Sequence, residues 1–279
     1  MLISTEQLST HLQDPAWVVF DCRHDLADAT KGERVYREGH IPGAHFAGID
    51  TDLSTEKNGK NGRHPLPSPA AFTAYLARHG VSNASTIVAY DDVGGPYASR
   101  LWWMARWIGL ANVFLLDGGL PKWIAESLPV STDVPAPAPS ALRAQGNSLM
   151  VWSAAEVLAH VEDKRMLLLD ARAGERYRGE TEPLDPVAGH IPGAANRFFK
   201  ANLNADLTFR PATELRNEFA ALAGGRRADQ VVHYCGSGVT ACANLFAMEY
   251  AGLHGSKLFP GSWSEWVADP SRPVIQPGK

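Results

Sequence analysis

The hexapeptide Gly-His-Ile-Pro-Gly-Ala stands at residues 39–44 and recurs unchanged at residues 189–194. One repeat of six residues is weak evidence of common origin, so we compared the residues on either side of it. Upstream, Val-Val-Phe-Asp-Cys-Arg at residues 18–23 matches Leu-Leu-Leu-Asp-Ala-Arg at residues 167–172. The upstream match therefore extends the similarity well beyond the hexapeptide.

Two further matches follow downstream in the same order. Ile-Val-Ala-Tyr-Asp at residues 87–91 corresponds to Val-Val-His-Tyr-Cys at residues 231–235. The stretch at residues 115–123 shares a leucine, a glycine and its closing tryptophan with the stretch at residues 258–266. Four collinear matches indicate that the chain of 279 residues is a tandem duplication.

A stretch rich in proline and alanine separates the two halves. Residues 129–140 contain Pro-Ala-Pro-Ala-Pro, which predicts an extended, polyproline-like spacer. We therefore predict one domain at residues 1–130, a linker at residues 131–145 and a second domain at residues 146–279.

The patterns in each half alternate between helix and strand. Each half opens with a capping-box pattern, Ser4 with Gln7 in the first and Ser153 with Glu156 in the second. A short, continuously apolar run follows in each half, which is typical of strands buried on both faces of a parallel sheet. These runs are residues 17–20 and 166–169. The predicted fold class is α/β, with two tandem domains that each consist of a mostly parallel sheet flanked by helices.

Composition narrows the possible partners. The chain is 45% hydrophobic and 20% charged, with a net charge of −4, and no dense cluster of lysine and arginine predicts a nucleic-acid interface. No uninterrupted apolar run reaches 18 residues, and the N-terminus does not resemble a secretory signal, so no membrane association is expected. Three cysteines do not predict a disulfide framework, and we expect a cytoplasmic location.

The second half carries the pattern of a reactive cysteine. A predicted strand at residues 230–234 leads into Cys-Gly-Ser-Gly-Val-Thr at residues 235–240, and a helical pattern follows from residue 241 to about residue 250. Gly236 and Gly238 let the backbone curl so that several N–H groups converge on one point. Such a loop, followed by the positive end of a helix, favours the Cys235 thiolate.

The tandem halves, the paired hexapeptides and the cysteine loop resemble the rhodanese/mercaptopyruvate sulfurtransferase family over roughly residues 1–270. The resemblance implies that the C-terminal domain is catalytic. Asp91 occupies the position that corresponds to Cys235, so the first domain resembles the inactive partner. The structural interpretation, a small buried side chain, is favoured for Cys22 and Cys242, although a resolving role for Cys242 stays open.

The loop also bears on the sulfur donor. Thiosulfate-using rhodaneses typically have two basic residues where this chain has the neutral Gly236 and Ser237, and in this respect it resembles mercaptopyruvate sulfurtransferases. Arg176 falls on the family position that binds the donor carboxylate. A second arginine usually precedes the Gly-His-Ile-Pro motif, but residues 182–186 here read Glu-Pro-Leu-Asp-Pro. Arg178 is a candidate substitute, or else a solvated arginine.

The resemblance also implies a proton relay. His64 and Asp50 match first-domain residues that lie near the active cysteine in the family, and with Ser237 they would ease proton movement as sulfur leaves. We expect the loop backbone to bind the substrate through its N–H groups. The loop residues with this expected role are Gly236, Gly238, Val239 and Thr240.

The predicted reaction is a ping-pong sulfur transfer from 3-mercaptopyruvate, through a Cys235 persulfide, to cyanide or to a thiol such as thioredoxin. No metal or organic cofactor is expected. The alternatives are a thiosulfate:cyanide sulfurtransferase and a non-catalytic sulfur-carrier or regulatory module. A Cys-dependent phosphatase is disfavoured, because its loop needs an arginine where this chain has Ala241. Neither a zinc-ligand spacing nor the motif of a serine hydrolase occurs around Cys235.

Overall fold

The structure, a computed structural model, describes residues 1–136 and 139–276 and divides into two compact units. The first unit comprises Met1–Thr55, Pro67–Asn147 and Leu203–Phe209. The second comprises Glu56–Leu66 and Ser148–Asn202, with the described residues from Arg210 onwards. Each unit therefore includes a short segment from the other half of the sequence.

The spacer and the domain limits stay predictions. Residues 137 and 138 of the predicted polyproline-like stretch lie outside the described residues. Beyond them, the N–H group of Ser140 donates to the carbonyl of Ala77, and the N–H group of Asn147 donates to the carbonyl of Trp107. The described residues at the end of the spacer are thus bound to the first unit.

The first unit contains a five-stranded sheet in the order β1-β5-β4-β2-β3, and every pair in it is parallel. Its strands are β1 (Leu2–Ile3), β2 (Trp17–Asp21), β3 (His45–Phe46), β4 (Thr86–Tyr90) and β5 (Val113–Leu116). Its helices are α1 (Thr5–Ser9), α2 (Lys31–Glu38), α3 (Pro69–Arg78), α4 (Ala98–Trp107) and α5 (Gly119–Ala125).

The second unit contains a four-stranded parallel sheet in the order β7-β6-β8-β9. Its strands are β6 (Leu167–Asp170), β7 (Ala195–Asn196), β8 (Val231–Tyr234) and β9 (Lys257–Leu258). Its helices are α6 (Ala154–His160), α7 (Gly174–Tyr177), α8 (Ala212–Ala223), α9 (Ala241–Tyr250) and α10 (Ser262–Trp266). Short 3₁₀ turns occur at Ser148–Met150, Phe199–Asn202 and Ala228–Gln230. None of the helices in the described part of the chain has the length and apolar character needed to cross a membrane.

The predicted local patterns are confirmed. Both capping boxes form, with Ser4 capping α1 and Ser153 capping α6. The apolar runs become the central strands β2 and β6, and all four residues of β6 are buried. Burial on both faces requires a cover on each side of the sheet, which the flanking helices provide. The fold class, two α/β domains with parallel sheets, is confirmed.

A repeated ion pair connects the end of a strand to the hexapeptide in both units. Arg23 binds Asp21, and Arg172 binds Asp170, each at 2.7 Å and with both partners buried. The same Nη2 atoms also donate to the carbonyl of the first glycine of the hexapeptide, at 2.6 Å and 2.7 Å. The end of the strand therefore holds the hexapeptide in each unit.

Candidate active site

The loop that follows β8 curls around the sulfur of Cys235. The Sγ atom accepts a hydrogen bond from the N–H group of Gly238 at 3.1 Å, and α9 begins at Ala241. Cys235 is 2% exposed, so its sulfur lies at the base of the loop with little access for bulk water. An anionic sulfur at this position faces a backbone N–H group, which stabilises negative charge.

Gly238 is required by the geometry of the loop. Its φ is +78°, and a methyl group on its Cα would lie 2.1 Å from the carbonyl oxygen of Pro260. Both the conformation and the close approach exclude a side chain. The predicted contribution of Gly238 to the curl of the loop thus has a direct steric cause. Val239 and Thr240 complete the loop, and their carbonyls accept from the N–H groups of Cys242 and Ala243 in the first turn of α9.

Ser262 anchors the backbone of the cysteine, a role that the sequence analysis missed. The N–H group of Cys235 donates to Ser262 Oγ at 3.1 Å, and this hydroxyl donates to the carbonyl of Phe259 at 2.9 Å. Ser262 has a φ of +54°, and the matching residue of the first half, Gly119, has a φ of +56°. In the sequence, the signal for a special role of Ser262 was that the matching position of the first half is a glycine, the residue that most readily takes up a left-handed conformation.

Two of the three predicted relay residues meet in the second unit. The Nδ1 atom of His64 lies 2.7 Å from Ser237 Oγ, and both side chains are buried. His64 reaches this unit because residues 56–66 belong to it. Asp50 belongs to the first unit, where its Oδ2 lies 3.9 Å from Nε2 of His24. The participation of Asp50 in a relay therefore stays a prediction.

Arg176 lies beside the loop, as the family position implies. A methyl group on the Cα of Gly236 would be 3.5 Å from both terminal nitrogens of Arg176. One of these nitrogens binds Glu182 at 2.6 Å and lies 3.5 Å from Asp185. Its Nε is buried and has no hydrogen-bond partner within the described residues.

Arg178 has a different environment. Its guanidinium binds Glu180 at 2.6 Å, and its side chain is 57% exposed. This arrangement fits a solvated arginine at the end of α7, the second of the two interpretations that the sequence left open.

Arg63 is a second arginine at the loop, and the sequence analysis did not assign it a role. Its Nη2 would lie 2.7 Å from a methyl group on Gly236, closer than Arg176. Its Nη1 is paired with the carboxylate of Asp185, and its N–H group donates to Ser264 Oγ at 3.0 Å. In the sequence, the only indication that Arg63 lies near the cysteine loop was its position directly before the predicted relay residue His64.

Two buried carboxylates balance these arginines. Glu182 and Asp185 are each 3% exposed at the side chain. Burial opposes ionisation of Glu182, but the Arg176 guanidinium outweighs it and holds the pKa of Glu182 below its usual value. At Asp185 burial prevails over Arg63, and the pKa is raised. The site therefore contains paired cations beside the sulfur loop, and one of its carboxylates is costly to keep charged.

The matching loop of the first unit is occupied by its own side chain. The carboxylate of Asp91 accepts four backbone N–H groups at 2.7–3.1 Å. These donors belong to Val93, Gly95, Tyr97 and Ala98. Burial raises the pKa of Asp91 to about 6, against the opposing effect of these N–H groups. The loop of the first unit therefore keeps its converging N–H groups, and the Asp91 carboxylate occupies the space between them.

The other two cysteines are buried and reduced. Burial raises the pKa of the Cys22 thiol well above its ordinary value. The Cys242 thiol donates to the carbonyl of Gly238 at 3.4 Å, which supports the loop from the first turn of α9. Both positions fit the structural interpretation.

Comparison with known proteins adds independent evidence. The sequence profile of the rhodanese-like domain matches residues 4–126 and 153–269. A Pseudomonas aeruginosa protein named "Probable 3-mercaptopyruvate sulfurtransferase" is 46% identical over 98% of this chain and 97% of its own. The thiosulfate sulfurtransferase of Bos taurus is 33% identical over 95% and 91% of the two chains. The structure of 3-mercaptopyruvate sulfurtransferase from Leishmania major superimposes with a TM-score of 0.84 at 28% identity, covering 95% of this chain and 74% of the other.

Proposed function

Because the chain belongs to the rhodanese family, we propose that it is a sulfurtransferase that carries sulfur as a persulfide on Cys235. The observation that carries this proposal is the loop around the Cys235 sulfur, where the N–H group of Gly238 points at Sγ. A thiolate and its persulfide both need such a donor, and both are nucleophilic sulfur anions. Asp91, at the matching position, has no sulfur to carry, so one site per chain follows.

The proposed donor is 3-mercaptopyruvate. Its negative charge lies on a carboxylate remote from the transferred sulfur, so the site needs a cation beside the loop and none within it. Gly236 and Ser237 keep the loop neutral, and Arg176 lies beside Gly236 with an unpaired buried Nε. A planar guanidinium is suited to a carboxylate because it offers two parallel donors.

The proposed reaction begins with attack of the Cys235 thiolate on the donor sulfur. A sulfur–sulfur bond forms, the carbon–sulfur bond of the donor breaks, and its electron pair leaves with the enolate of pyruvate. The enolate takes up one proton, and the persulfide gives one up. His64 and Ser237, at 2.7 Å, are the groups positioned to transfer that proton. Asp50 is proposed to orient His64.

In the second half-reaction a nucleophile attacks the outer sulfur, and the electron pair of the sulfur–sulfur bond returns to Cys235 as thiolate. Cyanide serves as acceptor in an assay, and a thiol protein such as thioredoxin is the proposed acceptor in a cytoplasmic setting. The backbone of Gly236, Gly238, Val239 and Thr240 is proposed to surround the transferred sulfur. The chemistry needs neither a metal nor an organic cofactor, since cysteine supplies the nucleophile.

Thiosulfate is the second candidate donor, because a relative with 33% identity is named a thiosulfate sulfurtransferase. Thiosulfate is a dianion, and its recognition would be improved by cations within the loop, where this chain has Gly236 and Ser237. A non-catalytic carrier or regulatory module is less well supported, because the whole cysteine loop is present.

The experiment that tests the proposal is sulfur loading followed by mass spectrometry. Wild type treated with 3-mercaptopyruvate should gain one sulfur atom, and Cys235→Ser should gain none. Cys242→Ser should load like wild type. Retained turnover in Cys235→Ser would overturn the proposal.

Steady-state kinetics with both donors then decide the substrate. Arg176→Ala should lower kcat/KM for 3-mercaptopyruvate by about ten- to a hundredfold, the value of one charge-assisted pair. A wild type that prefers thiosulfate, with no donor-dependent effect of Arg176→Ala, would establish the second candidate instead.

A further inference from the structure

We propose that Arg63 is the second cation of the donor site, beside Arg176. This inference rests on the proposed function, since it assigns a residue to the donor carboxylate. It makes Arg63 a specificity-determining residue that the second unit takes from the first half of the sequence.

Arg63 and Arg176 converge on the same residue of the cysteine loop. Nη2 of Arg63 and both terminal nitrogens of Arg176 lie within 3.5 Å of the point where Gly236 would carry a side chain. Glycine at this position leaves that space to the two guanidinium groups. Two guanidinium groups that converge on one residue of a sulfur-binding loop can together offer N–H donors to an anion.

Two carboxylates hold these guanidinium groups in place. Asp185 is paired with Arg63 and Glu182 with Arg176, and both carboxylate side chains are 3% exposed. The carboxylates offset the charge of the arginines, so the two guanidinium groups offer a ligand positioned N–H donors rather than an excess of positive charge. The residues that precede the second hexapeptide, Glu-Pro-Leu-Asp-Pro at 182–186, contain no arginine, so Arg63 comes from another part of the chain.

Contacts of the neighbouring backbone orient the Arg63 side chain. The N–H group of Arg63 donates to Ser264 Oγ at 3.0 Å, and Gly62 packs so closely on Gly261 that a methyl group there would be 2.8 Å from its carbonyl oxygen. The next residue, His64, binds Ser237. The backbone of residues 62–64 is therefore held on both sides of Arg63, and the Arg63 side chain is 26% exposed, which leaves it access to a ligand.

The two arginines are oriented before a ligand binds. Asp185 is paired with Arg63 and Glu182 with Arg176, while the arginine side chains keep 26% and 17% of their exposure. A donor carboxylate that reaches Arg63 and Arg176 therefore meets guanidinium groups whose positions are already fixed. Preorganised donors of this kind lose little on binding.

The test compares two double variants that differ at one position. Arg63→Ala/Asp185→Asn removes the ion pair without leaving a buried unpaired charge, and Arg63→Ala/Asp185→Arg returns a cation to residue 185. We expect KM for 3-mercaptopyruvate to rise about ten- to a hundredfold in the first and to recover to within a few-fold of wild type in the second. Arg227→Ala, at an exposed arginine paired with Asp229, is the matched control and should behave as wild type.

Inhibition by pyruvate gives a second readout that does not depend on sulfur transfer. Pyruvate carries the carboxylate without the sulfur, so its inhibition constant should rise with KM in Arg63→Ala/Asp185→Asn and recover with Asp185→Arg. Equal KM values and equal pyruvate inhibition in wild type and Arg63→Ala/Asp185→Asn would overturn the role of Arg63. If wild-type Cys235 takes up no sulfur from any donor, the proposed function itself fails, so the two failures are distinguishable.

Discussion

The Nδ1 atom of His64 lies 2.7 Å from Oγ of Ser237, although the two residues are 173 positions apart in the sequence. Both side chains are about 5% exposed, so the hydrogen bond is shielded from competing water. It ties residues 56–66 to the cysteine loop, and it gives the hydroxyl beside Cys235 a partner that is able to accept or donate a proton.

The first prediction is that His64 and Ser237 act as one unit. His64→Ala and Ser237→Ala should each lower kcat with 3-mercaptopyruvate by about a hundredfold, in the range of general acid–base effects. The double variant should lose little more than either single variant, because both changes remove the same proton transfer. The measurement is a double-mutant cycle of kcat.

Removal of sulfur from preformed persulfide by cyanide is the control for that cycle. This step releases the Cys235 thiolate and needs no protonation of an enolate, so it should stay within a few-fold of wild type in all three variants. Additive losses, or equal losses in both half-reactions, would show that the pair has only a structural effect.

The second prediction concerns Gly238. Gly238→Ala should abolish sulfur transfer and destabilise the second unit by more than about 1–2 kcal/mol, the cost of a left-handed conformation alone. The excess comes from the clash with the carbonyl oxygen of Pro260, 2.1 Å from the added methyl group. Urea unfolding and sulfur loading measure the two effects.

Gly225→Ala is the matched control for this change. Gly225 has a φ of +83°, and a methyl group on it would meet no atom within 4 Å. The variant should show the conformational cost and keep its activity. An active Gly238→Ala with the same loss of stability would refute the steric argument.

The third prediction is that the Asp91 loop of the first unit, which matches the cysteine loop, contributes to stability and has no part in turnover. Asp91→Ala leaves four N–H groups without their acceptor and should lower the unfolding free energy by about 1–3 kcal/mol. Its kcat should stay within a few-fold of wild type. Chemical unfolding and steady-state kinetics on the same preparation test both parts, and a hundredfold loss of kcat in folded protein would contradict the assignment of an inactive first domain.

The fourth prediction is a loss of stability in acid caused by His233. Burial lowers the pKa of this β8 histidine from 6.5 to about 3. The unfolded chain binds a proton below about pH 6.5 and the folded chain does not, so stability is present above pH 6.5 and falls as the pH drops toward 3. The contribution is at most about 1.4 kcal/mol per pH unit.

His233→Leu should remove this part of the pH dependence. The measurement is the unfolding free energy of wild type and variant between pH 4 and 8, and the difference between the two curves isolates the residue. His254→Leu, at an exposed histidine of the same unit, is the control. Parallel curves for wild type and His233→Leu would contradict the prediction.

The sequence predicted what depends on local pattern. The helix expected after residue 240 is α9, Ala241–Tyr250, because a continuous apolar and helix-forming run follows the glycine loop. The strand before Cys235 was predicted to within one residue, since β8 begins with two valines and all four of its residues are buried. Because the chain is duplicated, the pattern expected for each element in one half could be compared with the matching stretch of the other half.

What the sequence did not reveal depends on contacts between distant segments. Arg63 lies beside Gly236 because residues 56–66 belong to the second unit. The spacing of apolar residues along the sequence does not indicate that a segment of the first half packs with the second. Ser262 was missed because a serine in a left-handed conformation is unusual, and its role depends on one hydrogen bond to the N–H group of Cys235. Asp91 was recognised as a substitution, but its four hydrogen bonds were not.

The four bonds to Asp91 also bear on how the two halves can change over evolutionary time. A change of this codon to cysteine would replace two acceptor oxygens with one sulfur, so the four N–H groups that now share two acceptors would have a single one. The loop is also one residue longer, since α4 begins seven residues after Asp91 and α9 begins six residues after Cys235. Reversion would therefore need coordinated changes whose intermediates are less stable. The hydrogen bonds of Asp91 thus tie the carboxylate to the folding of the first copy, and this tie opposes a return to cysteine.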